Sequence, residues 1–153
     1  MTNNPKISII IPVLNNLNGL IKSIKSIVDQ TYNDFEVWII DGESNKETQQ
    51  YLKTLSAPFF WISEKDSGIY DAMNKGIEKS KGDWLYFLGS GDELANASVL
   101  QKISTQLGET ESSLLSGKIL YQGDTNPFIY SNSKRIKKTS WNTFMWIRNG
   151  LHH

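Results

Sequence analysis

Apolar residues form short continuous runs along the first two thirds of the chain, and an amphipathic stretch follows each run. The run Ile7 to Val13 is rich in β-branched residues, which is typical of a strand covered on both faces. After it, apolar residues recur at helical spacing from Leu20 to Val28, and lysines occupy the opposite side. This first unit predicts a strand followed by a helix.

The same alternation occurs three more times. Ser44 with Glu47 predicts a capping box for the second helix, and Asn96 is predicted to cap the fourth. Repeated strand–helix units predict an α/β sandwich with a mostly parallel central sheet and right-handed crossovers. The three predicted units are Phe35 to Ile40 with Lys46 to Leu55, Phe59 to Ile62 with a helix after Gly68, and Trp84 to Leu88 with a helix through Val99 to Leu107.

The pattern is weaker after Glu109. We predict strands at Leu114 to Tyr121 and at Phe128 to Tyr130, and a loop or sheet edge at Lys134 to Lys138. The segment Trp141 to His153 carries several large apolar residues that need a packing partner. We therefore expect a single domain, residues 1–153, whose fold is truncated at the C-terminus.

Composition excludes several classes of function. With 16 basic and 16 acidic side chains the formal net charge is zero, so no nucleic-acid partner is expected. The sequence has no cysteine, which excludes disulfides and thiolate chemistry. It has neither a run of about 20 apolar residues nor a secretory signal, so we expect a cytoplasmic protein.

Familiar catalytic and nucleotide motifs are missing. Neither a G-x-G-x-x-G turn after the first strand nor a phosphate-binding P-loop is present, which removes the main support for a dehydrogenase or an ATPase. The only histidines are His152 and His153, so a Ser-His-Asp triad would need the chain end to fold back. We do not expect such a triad.

Polar residues follow each predicted strand. In an open parallel sheet ligands bind at the carboxyl ends of the strands, so these residues are the candidate site. Each one alone is also explained as a turn former, and Asp66 or Ser67 as a helix cap. Together, several carboxylates at one edge repel each other unless a cation such as Mg²⁺ or Mn²⁺, with a phosphate ligand, compensates them. The residues are Pro12, Leu14, Asn15, Asn16, Asp41, Glu43, Glu64, Asp66, Gly68, Ser90, Gly91, Asp92 and Glu93.

Three segments carry a family resemblance. In order, SIIIPVLNN, SIVDQTYNDFEVWIIDGES and EKDSGIYDAMNKGIEKSKGDWLYFLGSGDEL resemble the nucleotide-binding half of inverting family 2 glycosyltransferases, most closely the bacterial capsule and exopolysaccharide type. The resemblance covers Lys6 to about Leu94. It implies the GT-A fold, a Rossmann-like three-layer sandwich.

The resemblance also implies roles for individual residues. Asp41 would accept from the N3–H of a uracil-type base, which suits a carboxylate because it offers only acceptors, and Pro12 with Leu14 would line the base pocket. Asp92 matches the last acidic residue of the family's metal motif and would hold Mg²⁺ or Mn²⁺ against the diphosphate, although Gly89 and Gly91 stand where acids are usual. The implied nucleotide-binding set is Pro12, Leu14, Asn15, Asp41, Glu43, Asp66, Gly68, Asp71, Asn74, Ser90 and Gly91.

Other positions are less informative. Lys75 lies along the third helix, and we expect it on a solvated face. The family's general base has no counterpart between Leu94 and His153, because Glu109, Glu111 and Asp124 are better explained as surface residues. We expect the base to lie beyond His153, so catalysis would be incomplete in this length of chain.

The implied activity is a hexosyl transfer from a UDP-sugar to a saccharide or lipid-linked saccharide acceptor, with inversion and with metal assistance. A lipid-linked acceptor would bring the protein to the inner face of the membrane as a peripheral enzyme. The alternative is a donor-binding fragment or a non-catalytic subunit. A nucleotidyltransferase would need a basic glycine-rich loop after the first strand, and an interaction domain leaves the ordered acidic turns unexplained.

Overall fold

The apolar runs of the sequence form the central strands of one sheet. In the computed structural model, which describes residues 5–116, 119–120, 129–130 and 145–148, four strands lie parallel in the order β3-β2-β1-β4. The mostly parallel sheet predicted from the sequence is thereby confirmed. These strands are β1 (Ile7–Val13), β2 (Phe35–Asp41), β3 (Phe59–Ser63) and β4 (Trp84–Phe87).

Helices cover both faces of this sheet. Alternate strand residues point to opposite faces, so Ile9 and Ile11 belong to one buried cluster and Ile10 to another. The cluster with Ile10 includes Ala72 of the third helix, whereas the larger cluster includes residues of the other three helices. The predicted three-layer architecture is therefore confirmed. The helices are α1 (Leu17–Val28), α2 (Lys46–Leu52), α3 (Ile69–Lys79) and α4 (Val99–Glu109).

The chain after α4 adds short strands. The segment predicted as one strand from Leu114 is divided into β5 (Leu114–Ser116) and β6 (Ile119–Leu120), and β6 pairs with β7 (Ile129–Tyr130). A strand that the sequence did not predict, β8 (Met145–Arg148), lies antiparallel between β4 and β5. Residues 145–148 of the apolar C-terminal segment thus pair with β4, and the rest of that segment lies outside the described residues. The lysine-rich run at 134–138 lies outside the described residues.

Two helix starts and one helix end differ from the sequence prediction. The N-cap of α2 is Asn45 and not Ser44, because the Ser44 hydroxyl is occupied by a hydrogen bond from the backbone of Asn15. At α4 the N-cap is Ser98, and Asn96 instead accepts hydrogen bonds from Ser98. Helix α2 ends at Leu52, earlier than predicted. The backbone N–H groups of Thr54 and Leu55 bond to the carbonyls three residues before them, so the chain forms a tighter turn there.

Within the described part of the chain, no helix combines the length and the apolar character that crossing a bilayer requires.

Candidate functional site

The loops after β1, β2, β3 and β4 meet at the carboxyl edge of the parallel sheet. The chain leaves β1 toward β2 and β3 on one side, whereas β4 lies on the other side of β1. Ligands of open α/β sheets bind where the strand order reverses in this way. The candidate site therefore lies beside the loop at Leu14 to Asn16, between the loops of β2 and β3 and the turn after β4.

The side chains of Asp66 and Leu14 lie close over Gly42, the first residue after β2, and we call these three residues the cradle. A Cβ atom on Gly42 would stand 2.6 Å from Oδ2 of Asp66 and 3.4 Å from Cδ1 of Leu14. A side chain at position 42 would therefore displace the Asp66 carboxylate. Leu14 is 58% exposed although it is apolar, and Asp66 is partly exposed. The cradle thus combines an open apolar surface with a carboxylate that a ligand can reach.

Asp41, the last residue of β2, is buried and hydrogen-bonded within the protein. Its side chain is 0% exposed, and both carboxylate oxygens accept from the backbone N–H of Ser44 at 3.2 Å. The hydroxyl of Ser63 also donates to Oδ2 at 2.6 Å. Asp41 therefore ties the loop after β2 to the end of β3, and its direct contact with a base stays a prediction that requires the carboxylate to become uncovered. Pro12 is buried as well.

The loop after β1 is locked to the loop after β2. The backbone N–H of Asn15 donates to Ser44 Oγ at 2.7 Å, and Asn15 Oδ1 accepts from the N–H of Asn45 at 2.8 Å. Asn15 and Glu43 both have left-handed backbones, with φ of 51° and 60°. Such conformations are costly for residues other than glycine and concentrate at functional sites. The two loops that flank the cradle are therefore held in one defined arrangement.

The turn after β4 carries the predicted metal ligand. Asp92 folds back over Gly89, since a Cβ on Gly89 would stand 2.5 Å from Asp92 Oδ2. Gly91 has a φ of +108°, which side-chain-bearing residues rarely adopt. Partial burial raises the pKa of Asp92, although a hydrogen bond with the Gly89 backbone acts in the opposite direction. Burial, with the nearby Asp92 charge, also raises the pKa of Tyr86 beneath the turn.

A polar stripe on α1 holds this turn in place. The Ser23 hydroxyl accepts from the N–H of Gly91 at 2.9 Å and donates to the carbonyl of Asp92 at 2.8 Å. The Asn16 amide donates to the carbonyl of Ser90 at 2.9 Å. Farther along the chain, Ser26 of α1 and Gln30, just after the end of α1, bind the backbone of the chain that follows the turn.

The residues present fit a metal ion only as a sparse site. Within the described ranges, no three His, Cys, Asp or Glu side chains cluster to hold a cation. Mg²⁺ is often bound through one or two carboxylates while substrate phosphates and waters complete its shell. Asp92, exposed at the turn, fits the part of a single protein ligand in such an arrangement.

The remaining predicted residues surround this edge. Gly68 is exposed at the start of α3, with a φ of +122° and open space where a side chain would stand. Asn74 is exposed on α3. Asp71 accepts from the backbone N–H of Ser67 at 2.9 Å, and this bond, with Lys75 beside it, holds the pKa of the Asp71 carboxyl below its usual range.

Several supporting residues were not identified from the sequence. Ser63 stands directly beside Asp41 in the parallel register of β2 and β3, so the register would have revealed it once the strand ends were known. The polar stripe has a signal in the sequence, because Asn16, Ser23, Ser26 and Gln30 are spaced by seven, three and four residues, which is the spacing of one helix face that begins at the N-cap and extends just past the end of α1. Gly42 has no comparable signal.

Comparison with known proteins identifies the family. The model of the family described as "Glycosyl transferase family 2" matches residues 8–152. A PGL/p-HBAD biosynthesis glycosyltransferase of Mycobacterium bovis (strain BCG / Pasteur 1173P2) is 38% identical over 121 residues, which cover 76% of this chain and 47% of the relative. The chain thus spans about half the length of the curated relatives it matches.

Two solved structures share the fold. S. aureus TarS 1-349 in complex with UDP-GlcNAc has a TM-score of 0.64 and 21% identity, over 71% of this chain and 33% of that one. The mannosyltransferase PcManGT from Pyrobaculum calidifontis, in complex with GDP-Man and Mn²⁺, has a TM-score of 0.63 and 18% identity, over 74% of this chain and 35% of that one. The expected GT-A fold is confirmed, and the chain belongs to glycosyltransferase family 2.

Proposed function

We propose that this chain binds the nucleotide of a UDP-sugar and forms the donor half of an inverting, metal-assisted hexosyltransferase. The acceptor we propose is a saccharide or lipid-linked saccharide in bacterial polysaccharide assembly, including capsule. Membership of the family supports sugar transfer. The neighbours solved with UDP-GlcNAc and with GDP-Man support a nucleotide-sugar donor.

The observation that carries the donor proposal is the cradle over Gly42. Its exposed Leu14 offers an apolar surface for one face of a planar base, and the reachable Asp66 carboxylate offers acceptors for ring N–H groups. A uracil has one such N–H, at N3. The base would lie between the loops of β1, β2 and β3, and we propose that the diphosphate extends from there toward the turn after β4.

Asp92 lies on the side of the site where the diphosphate would then extend. A divalent ion bound there would neutralise the charge that develops on the departing diphosphate. The chain's own contribution is to hold one carboxylate in a fixed turn, which Ser23 anchors to α1. In a displacement with inversion the acceptor proton also needs a base, which we place outside the described residues.

A second candidate function is donor binding without turnover, as a fragment or a non-catalytic subunit. Beyond the turn after β4, the carboxylates of the described chain are Glu109, the last residue of α4, and Glu111, which follows it; both are exposed and neither follows a strand end. Neither is placed to serve as an acceptor-side base. A lipid-linked acceptor would bring either form to the inner face of the membrane from the cytoplasm.

Calorimetric titration of UDP with and without Mn²⁺ tests the donor proposal. We expect binding that Mn²⁺ strengthens, loss of the Mn²⁺ effect in Asp92→Ala, and no change in Asp29→Ala, which removes an exposed carboxylate at the end of α1. A folded protein, judged by circular dichroism, that binds no UDP under either condition would refute the proposal. Sugar transfer to an acceptor would decide against the alternative without turnover.

A further inference from the structure

Lys75 on α3 is not the solvated residue that the sequence predicts. Its side chain is only 20% exposed, and its ammonium group contacts three oxygen atoms. It donates to the carbonyl of Lys65 at 2.8 Å, and it pairs with Glu64 at 3.1 Å and with Asp71 at 3.5 Å. Lys75 is therefore held by three contacts and is not a free surface lysine.

All three contacts act on the loop that joins β3 to α3. Glu64 and Lys65 begin this loop, and Asp71 fixes its other end by accepting from the backbone N–H of Ser67. Between these anchors, Asp66 Oδ1 accepts from the N–H of Gly68 at 3.0 Å. Only Asp66 Oδ2 is left to face Gly42 and the cradle.

The carboxylates around Lys75 favour its protonated, charged form. Partial desolvation would lower the Lys75 pKa, but the carboxylates of Glu64 and Asp71 outweigh it and raise the pKa above its ordinary value. The ammonium group therefore stays charged at neutral pH. Isolated surface ion pairs contribute little, yet this lysine also binds a backbone carbonyl, and rearrangement of the carboxylates alone cannot replace that bond.

We propose that Lys75 is a positioning residue that clamps the β3–α3 loop, so that the Asp66 carboxylate faces the donor nucleotide across Gly42. The inference rests on the proposed function, since it assigns Lys75 a part in donor binding without contact to the donor. Lys75→Met keeps most of the aliphatic volume and removes the charge and the donors. Lys79→Met is the matched control, because Lys79 is an exposed lysine in the last turn of the same helix.

The clamp itself is tested without any ligand. Hydrogen exchange of the Ser67 and Gly68 amides, measured by mass spectrometry with fragmentation, reports whether the loop is held. We expect Lys75→Met to increase their exchange rates at least fivefold, with Lys79→Met unchanged and Lys75→Arg in between. Equal exchange in wild type and Lys75→Met would overturn the clamp.

The positioning role is tested by a double-mutant cycle on UDP affinity. Asp66→Asn keeps an acceptor for the Gly68 N–H but loses the charge. We expect about tenfold weaker UDP binding for Lys75→Met, and the variant with both changes to bind no more weakly than Asp66→Asn alone, because Lys75 acts through Asp66. Additive losses, or unchanged affinity in Lys75→Met, would overturn the inference. Wild-type protein that binds no UDP would refute the proposed function and the positioning role together, and the exchange experiment would still decide the clamp.

Discussion

Ser23 is the residue whose loss should expose most clearly how this fold supports its site. It lies fully buried on α1, and its hydroxyl accepts from the Gly91 N–H at 2.9 Å and donates to the Asp92 carbonyl at 2.8 Å. Ser23→Ala removes both bonds and keeps the helix. The turn after β4 then loses its direct link to the middle of α1.

The expected cost follows from these contacts. Two hydrogen bonds at about 0.5–1.5 kcal/mol each give a loss of about 1–3 kcal/mol. Alanine is a better helix former than serine, and this difference offsets about 0.5 kcal/mol of the loss. Gly91 is exposed, so water can rehydrate its N–H in part. We therefore expect Ser23→Ala to lower the free energy of unfolding by about 1–2 kcal/mol.

Urea denaturation at pH 7 measures this change. With a slope of about 1–3 kcal/mol/M, the midpoint should fall by about 0.5–1.5 M while the slope stays constant. Thr105→Ala is the control, because the exposed Thr105 hydroxyl donates to the Gln101 carbonyl one turn back in its own helix, and the variant should stay within about 0.5 kcal/mol of wild type. A Ser23→Ala variant as stable as wild type would show that α1 does not hold the turn.

Further predictions concern the turn after β4 and the loop before α3. Urea denaturation should show that Gly91→Ala lowers the free energy of unfolding by about 1–2 kcal/mol, because a φ of +108° strains any residue with a side chain. In the same measurement Gly89→Ala should lower it by less than about 1 kcal/mol. Gly89→Ala should still abolish the Mn²⁺ effect on UDP binding in calorimetry, since its Cβ displaces the Asp92 carboxylate. Asp92→Asn should raise the urea midpoint at pH 7, because it removes a charge that partial burial disfavours, while the Mn²⁺ effect is lost. Because the pKa of Asp71 is lowered in the folded state, its ionised carboxylate stabilises the fold above the ordinary carboxyl pKa, and this stabilisation is lost as the pH falls through the lowered value. In Asp71→Asn the urea midpoint should therefore fall less than in wild type when the pH is lowered from about 5 to about 2.

The fold was predictable because its signals are local and repeated. The run Ile7 to Val13 became a fully buried central strand, and the helical spacing from Leu20 became α1, which packs on one face of the sheet. The strand β8 was missed for a physical reason. It completes the sheet by pairing with β4 from far along the chain, and short strands of this kind depend on tertiary partners more than on their own sequence pattern.

The site was predictable in its position but not in its hydrogen bonding. The rule that ligands bind at the carboxyl ends of parallel strands placed Asp41, Asp66 and Asp92 at one edge. It did not distinguish a carboxylate that holds the chain together from one that is free for a ligand. Asp41 is used by Ser44 and Ser63, so Asp66 is left as the reachable acceptor at the cradle. That distinction needs backbone geometry, which residue spacing does not contain.

The two ends of the candidate donor site rest on different supports. The cradle over Gly42 depends on the loops of β1, β2 and β3, which Asn15 and Lys75 fasten from opposite sides. The turn with Asp92 depends on α1 through Ser23. The two supports meet at Asn16, the last residue of the loop after β1, whose amide donates to the Ser90 carbonyl in the turn after β4. A ligand that spans both ends, as a base joined to a diphosphate does, therefore bridges two loops that the fold already connects through Asn16, so we expect changes at the two supports to have non-additive effects on its binding.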